Sequence, residues 1–123
     1  MDALGIHLLL ELNECDHVLL NDLPAIRDIM LDAARTAGAT VLGESFHHFS
    51  PQGVSGILVI AESHLSVHTW PEHGYAGADI FTCGTTVLPE KAVDVLVERF
   101  APKTHSLVQV FRGMVAVKEK VTG

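Results

Sequence analysis

The sequence predicts an α+β domain: a mainly antiparallel sheet with two helices on one face. Three observations lead there. Two stretches carry apolar residues at helical spacing, at 21–37 and 88–100. Four strand-like stretches follow one another between them, at 39–50, 54–62, 64–70 and 75–83, joined by turn residues. Strands so closely connected must run antiparallel, because a parallel pair needs a long crossover.

Each element has a local reason. The opening "LGIHLLLELNEC" alternates around a leucine run and predicts a strand ending near Asn13. In "NDLPAIRDIMLDAARTAG", Leu23, Ile26, Ile29, Met30, Ala33, Ala34 and Ala37 form one stripe; Asn21 or Asp22 can cap its start, Pro24 suits its first turn and Gly38 its stop. "ATVLGESFHHFS" and "VSGILVIAE" form a hairpin through "PQG", the second strand reading as buried because its apolar run is continuous. "HLSVHTW" and "YAGADIFTC" pair through "PEHG", "LPEKAVDVLVERF" forms the second helix, and "THSLVQVFRGMVAVKEK" closes the sheet as a strand.

The whole of residues 1–123 is expected to be one domain, since 123 residues suffice for one core. A content of 48% hydrophobic and 19% charged residues is that of a globular chain. The formal charge of −7, with no cluster of Lys or Arg, opposes a nucleic-acid backbone. No stretch is long and apolar enough to span a bilayer, so a cytoplasmic protein without a membrane partner is expected. In that compartment Cys15 and Cys83 are expected as free thiols, Cys15 buried.

The chemistry concentrates between residues 56 and 84. If Trp70 stands opposite Tyr75, the ladder pairs His68 with Gly77, Ser66 with Asp79 and His64 with Phe81. One face then gathers His64, Ser66, His68, Trp70, Tyr75, Asp79 and Phe81; Leu65, Val67, Thr69, Ala76, Ala78 and Ile80 face the helices. In the same register Cys83 falls across from Glu62, so a serine, a thiol and imidazoles are expected in one neighbourhood.

Residue types alone leave two chemistries weak. Ser63 lacks the surroundings of a hydrolase nucleophile. His64, His68 and His73, with His47, His48 and Cys83 in possible reach, match no zinc-site spacing, so no metal is expected. Asp79 reads as a cross-strand hydrogen-bond partner, and His47 and His48 as strand-edge or interface residues.

"SGILVIAESH", "HTWPE" and "DIFTCG", flanked by "GATVLGESFHHFSPQGVSG", resemble the signature of the small, pyruvoyl-dependent prokaryotic S-adenosylmethionine decarboxylases. The resemblance covers most of residues 4–100 and is loose over the last twenty, where "MVAVKEKVTG" is shorter than the tail of many relatives. It implies that the chain is a proenzyme. Ser63 attacks the carbonyl of Glu62 to give an ester, elimination cuts the chain, and hydrolysis with loss of ammonia leaves a pyruvoyl group on residue 63. The products are a β chain of residues 1–62 and an α chain of residues 63–123. Decarboxylation needs such a carbonyl, which condenses with the substrate amine as a Schiff base and receives the electron pair left behind.

The same resemblance implies the remaining roles. The position of His68 assists processing, helped by that of Ser55, and that of Cys83 reprotonates the α-carbon. Glu72 matches the acidic residue that takes the ribose hydroxyls, and Trp70 and Phe49 are candidates to face adenine or the sulfonium. The implied architecture is a two-layer α/β sandwich that dimerises through its sheets into a four-layer αββα body, a homodimer of αβ units. The implied product is decarboxylated S-adenosylmethionine, the aminopropyl donor for spermidine. A pyruvoyl-dependent arginine or ornithine decarboxylase, or an unprocessed binding or regulatory homologue, is the alternative, and "TWPE" favours the nucleoside substrate.

Overall fold

A computed structural model describes residues 2–115. Strand β1 (Asp2–Asn13) leads through a short 3-10 turn into helix α1 (Leu23–Thr36), followed by β2 (Val41–His48), β3 (Val54–Ile60), β4 (Ser63–Trp70) and β5 (Tyr75–Cys83). Helix α2 (Pro89–Phe100) and strand β6 (Thr104–Val115) complete it. The expected continuation of the last strand to Lys120 lies outside the described residues.

The strands form one sheet in the order β2-β3-β4-β5-β1-β6, every neighbouring pair antiparallel. The helices begin where the sequence places them. Asp22 caps α1 by accepting a hydrogen bond from the Ala25 amide at 3.1 Å, and Gly38 leaves the helix at φ +80°. Helix α2 starts at Pro89 and stops at Ala101, which takes φ +48° just before Pro102.

Side-chain alternation sends one face of the sheet to the helices. Leu8, Leu10, Leu12, Val54, Leu58, Ile60, Leu65, Val67, Ala76, Ala78 and Ile80 are buried there, against Ile26, Ile29, Met30, Ala33 and Ala34 of α1 and Ala92, Val93, Leu96 and Phe100 of α2. Removal of this apolar surface from water is the main drive for folding. Arg27 pairs with Glu44 of β2, and Arg99 bridges Asp28 and Asp32, tying α2 to α1; exposed pairs of this kind add little stability.

Among the described residues no layer lies over the other face. The expected burial of β3 fails on that side: its apolar run puts residues on both faces, and Ile57 and Val59 are 37% and 46% exposed. A continuous apolar run implies two covered faces, and the described residues cover only one. Leu9, Trp70, Val108 and Val110 are exposed on the same open face.

Candidate active site

Ser63 opens β4 directly after the tight turn that follows Ile60, its partner in the β3–β4 ladder. The turn requires φ +70° at Glu62, a region that residues with a Cβ seldom enter, so the peptide bond next to Ser63 leaves a strained residue. The Glu62 carboxylate lies over Gly84, where a Cβ, had the residue one, would stand 3.2 Å from Oε1. Cys83, half-buried and free, is the neighbour of Gly84 and pairs with Gly5 of β1. Along the strand Cys83 follows Thr82, the ladder partner of Ser63, so its backbone lies at the same end of the sheet as the Glu62–Ser63 junction. By alternation Ser63 sits with buried Thr82 on the helix side, and Cys83 on the open side.

A second cluster lies at the far end of β4. Ser55 and His68 are opposite each other in the β3–β4 ladder, and Oγ stands 2.8 Å from Nδ1. They share a cavity of about 310 Å³ with Phe49, Trp70 and Glu72. The β2–β3 loop brings Phe49 there: its amide donates to the carbonyl of Gly53, closing a turn that needs φ +110° at Gly53. Thr69, buried behind the cavity, donates to the Leu20 carbonyl and accepts from the Val54 amide, fixing the start of β3 against β4. Trp70 stacks on Tyr75 with centroids 5.3 Å apart. Burial and a hydrogen bond to Glu11 push the Tyr75 hydroxyl up to about 12. A larger depression of about 490 Å³ by the start of α1, lined by His17, Asn21, Asp22 and His48, contains none of these groups.

The two clusters do not meet within one chain. His68 lies five residues beyond Ser63 on an extended strand, about 16 Å at 3.2–3.4 Å per residue, and on the opposite face. The single neighbourhood expected from the sequence is thus two, because strand distance grows steadily along β4.

Between them lies a network that sequence reading captures only in part. Asp79 accepts hydrogen bonds at Oδ2 from His7 Nε2 at 2.5 Å and His64 Nε2 at 2.9 Å, and at Oδ1 from the Ser66 hydroxyl. Burial opposes ionisation of this carboxyl, but the bonds from Ser66, His64 and His7 outweigh it and hold its pKa below the ordinary value. His7 has no local sequence signal; only the non-local pairing of β1 with β5 brings it in, 72 residues from Asp79. The ligand atoms of His7, His64 and Asp79 lie within 4.8 Å of one another, a spacing that fits a metal ion. The Arg112 guanidinium, 3.2 Å from His7 Nδ1, opposes a second cation there. His47 packs on Phe49 and His48 bonds to Asn21, both apart from this group.

Comparison with known proteins agrees with the resemblance read from the sequence. The family model described as S-adenosylmethionine decarboxylase matches residues 6–113. The chain is 49% identical over 116 residues to the S-adenosylmethionine decarboxylase proenzyme of Thermodesulfovibrio yellowstonii, covering 94% of this chain and 86% of that one. It is 50% identical over 121 residues to that of Acetivibrio thermocellus, covering 98% of each. The crystal structure of the adenosylmethionine decarboxylase from Aquifex aeolicus superposes with a TM-score of 0.89 at 32% identity, over 95% of this chain and 97% of that one. With the fold, the matched span and the relatives in agreement, the chain belongs to the S-adenosylmethionine decarboxylase family.

Proposed function

We propose that this protein is a single-domain precursor that cuts itself between Glu62 and Ser63 and then decarboxylates S-adenosylmethionine. The observation that carries the reading is the Ser55–His68 hydrogen bond on the wall of the cavity that also gathers Phe49, Trp70 and Glu72. Residues spread over 49–72 thereby become one site whose chemistry suits a nucleoside bearing a cation.

The residues at the junction fit a chain-derived pyruvoyl group. Ser63 has the β-oxygen that can take the Glu62 acyl group and then leave with it, and the strained Glu62 and tight turn favour breaking that bond. Once formed at residue 63, the carbonyl supplies the electron sink that amino-acid side chains lack. His68, with Ser55 holding its Nδ1, is suited to move a proton during cleavage near neutral pH. The Cys83 thiol, one residue beyond Thr82, the ladder partner of Ser63, is suited to donate the proton that replaces the departing carbon dioxide. Glu72 offers two acceptor oxygens to the ribose diol, and the exposed faces of Trp70 and Phe49 receive adenine or the sulfonium. The product is decarboxylated S-adenosylmethionine, an aminopropyl donor for spermidine.

Because Ser63 and His68 are about 16 Å apart on one strand, we infer that a second copy completes the site. Packing of the open sheet faces about a two-fold axis would cover Leu9, Ile57, Val59, Trp70, Val108 and Val110. It would also carry the Ser55–His68 cluster of one copy to the Ser63–Cys83 end of the other. We place the reaction in the cytoplasm; no helix among the described residues is long and apolar enough to cross a membrane.

The test is the intact mass of the freshly purified, denatured protein, followed by release of carbon dioxide from carboxyl-labelled S-adenosylmethionine. The expected result is two fragments, residues 1–62 and 63–123, the second lighter by one ammonia than its serine-started form. A single full-length mass after long incubation rejects self-cleavage. Turnover of arginine or ornithine with none of S-adenosylmethionine rejects the substrate.

A further inference from the structure

Cleavage at residue 62 creates a mechanical problem. In the intact chain the start of β4 is held by its bond to Glu62 and by the tight turn from β3. Once cut, residue 63 is a chain end that keeps only its backbone pairs with Ile60 and Thr82, and chain ends fray unless further groups tie them down. This end has to keep the new carbonyl in place.

The first side chain behind it is His64, and its surroundings fix its chemistry. Arginine has only donors, so Arg112, 3.2 Å from His7 Nδ1, requires a lone pair on that nitrogen. The proton of His7 is then on Nε2 and points at Asp79 Oδ2. Asp79, ionised and accepting from Ser66 and His7, also takes the His64 Nε2 proton. Arg112 is set further by the face of Phe81, 5.0 Å from its guanidinium carbon, and His7 and His64 pack on the same ring at 5.3 and 6.2 Å. The chain Arg112–His7–Asp79–His64 therefore crosses β6, β1, β5 and β4 and ends one residue from the cut.

We propose that the His64–Asp79 hydrogen bond, backed by His7 and Arg112, anchors the cut end of β4, making His64 and Asp79 positioning residues for the group carried at position 63. The anchor has little to do in the precursor, where the backbone bond to Glu62 does the same work. It becomes the principal side-chain tie of that end after cleavage. A hydrogen bond to a charged acceptor is strong enough for this, and its neutral replacement by packing alone would not direct the strand end. The proposal rests on cleavage at Glu62–Ser63.

The experiment is amide hydrogen exchange of residues 64–67, read by mass spectrometry, in cleaved protein and in the uncleavable Ser63→Ala precursor. In each background His64→Leu removes the donor, whereas His64→Gln keeps an N–H at similar reach. In cleaved protein His64→Leu is expected to speed exchange by about tenfold or more, the equivalent of one charge-assisted hydrogen bond, and His64→Gln to restore most of the protection. In Ser63→Ala the same substitutions are expected to change exchange less than about threefold. Equal effects in both backgrounds, or no effect in the cleaved protein, overturn the proposal.

Asp79→Asn, treated in the same way, provides a second variant should His64→Leu fold poorly. Failure of both variants to cleave also overturns the proposal, since the anchor would then act before the cut. The intact mass of the unsubstituted protein separates the two levels. A full-length mass there removes the cleavage reading itself, whereas a cleaved protein with unaltered exchange removes only the anchor.

Discussion

Ser55 and His68 face each other across β3 and β4 with Oγ 2.8 Å from Nδ1, a direct side-chain hydrogen bond between two residues expected to assist cleavage. It orients the ring through Nδ1, and among the described residues Nε2 has no hydrogen-bond partner. His68→Leu is expected to slow self-cleavage by about 10²–10⁴-fold, the range for loss of a positioned acid–base group, and Ser55→Ala by less. The time course of full-length mass loss checks both; unchanged cleavage in His68→Leu removes this residue from the processing chemistry.

Mixing two defective chains tests whether the site is shared. A Ser63→Ala chain retains His68, and a His68→Leu chain retains Ser63. If His68 acts on Ser63 of another copy, co-expression restores cleavage of the His68→Leu chain, detectable as its own pair of fragments. If it acts within its own chain, neither chain is cut. The separation of about 16 Å along β4 predicts restoration.

Cys83→Ala is expected to leave cleavage near its normal extent while lowering decarboxylation by about 10²-fold or more, through loss of a proton donor. The ratio of carbon dioxide released to fragment formed measures this directly. Equal losses in both steps would assign Cys83 a structural part beside Gly84.

Asp79 links the polar network to acid stability. Its folded pKa lies below the ordinary 3.8, so its contribution is present above about pH 4 and disappears as pH falls through the folded value. In the Ser63→Ala background, the melting temperature is expected to be higher with Asp79 than with Asp79→Asn near pH 6, and the gap to shrink below pH 4. A gap independent of pH would mean that the negative charge is not its source.

Tyr75 is the chain's single tyrosine, so its ionisation is readable by ultraviolet absorbance without assignment. Burial first, and the hydrogen bond and charge of Glu11 next, raise it to about 12. Glu11→Gln is expected to lower that midpoint toward 10 without reaching it, because burial persists. Since the folded value is the higher one, this interaction favours the folded state below about pH 10 and fades as pH rises toward 12.

Sequence alone resolves the β4–β5 hairpin to the residue: Trp70 faces Tyr75, Ser66 faces Asp79 and His64 faces Phe81. A short turn and strict alternation fix that register locally. The helices are legible for a similar reason, through caps and an apolar stripe. What escapes depends on distant partners. His7 joins Asp79 only because β1 inserts between β5 and β6, an order with no local signature. The exposure of Ile57 and Val59 is hidden by a run of apolar residues that fits either one covered face or two. The split of the candidate site is hidden because nearness in sequence suggests nearness in space, although five extended residues carry His68 far from Ser63.

The sheet order also bears on how a cut protein survives unfolding. The first 62 residues supply β1, β2 and β3, and the rest supply β4, β5 and β6; three of the five seams, β3–β4, β5–β1 and β1–β6, join the two parts. With β1 clasped on both sides by strands of the other part, neither fragment can drift away while the sheet is intact. Once denatured, however, they share no bond. Refolding of an uncut chain is then a first-order event indifferent to dilution, whereas a chain cut at the proposed site would have to reunite two molecules, and its recovery would fall as its concentration is lowered.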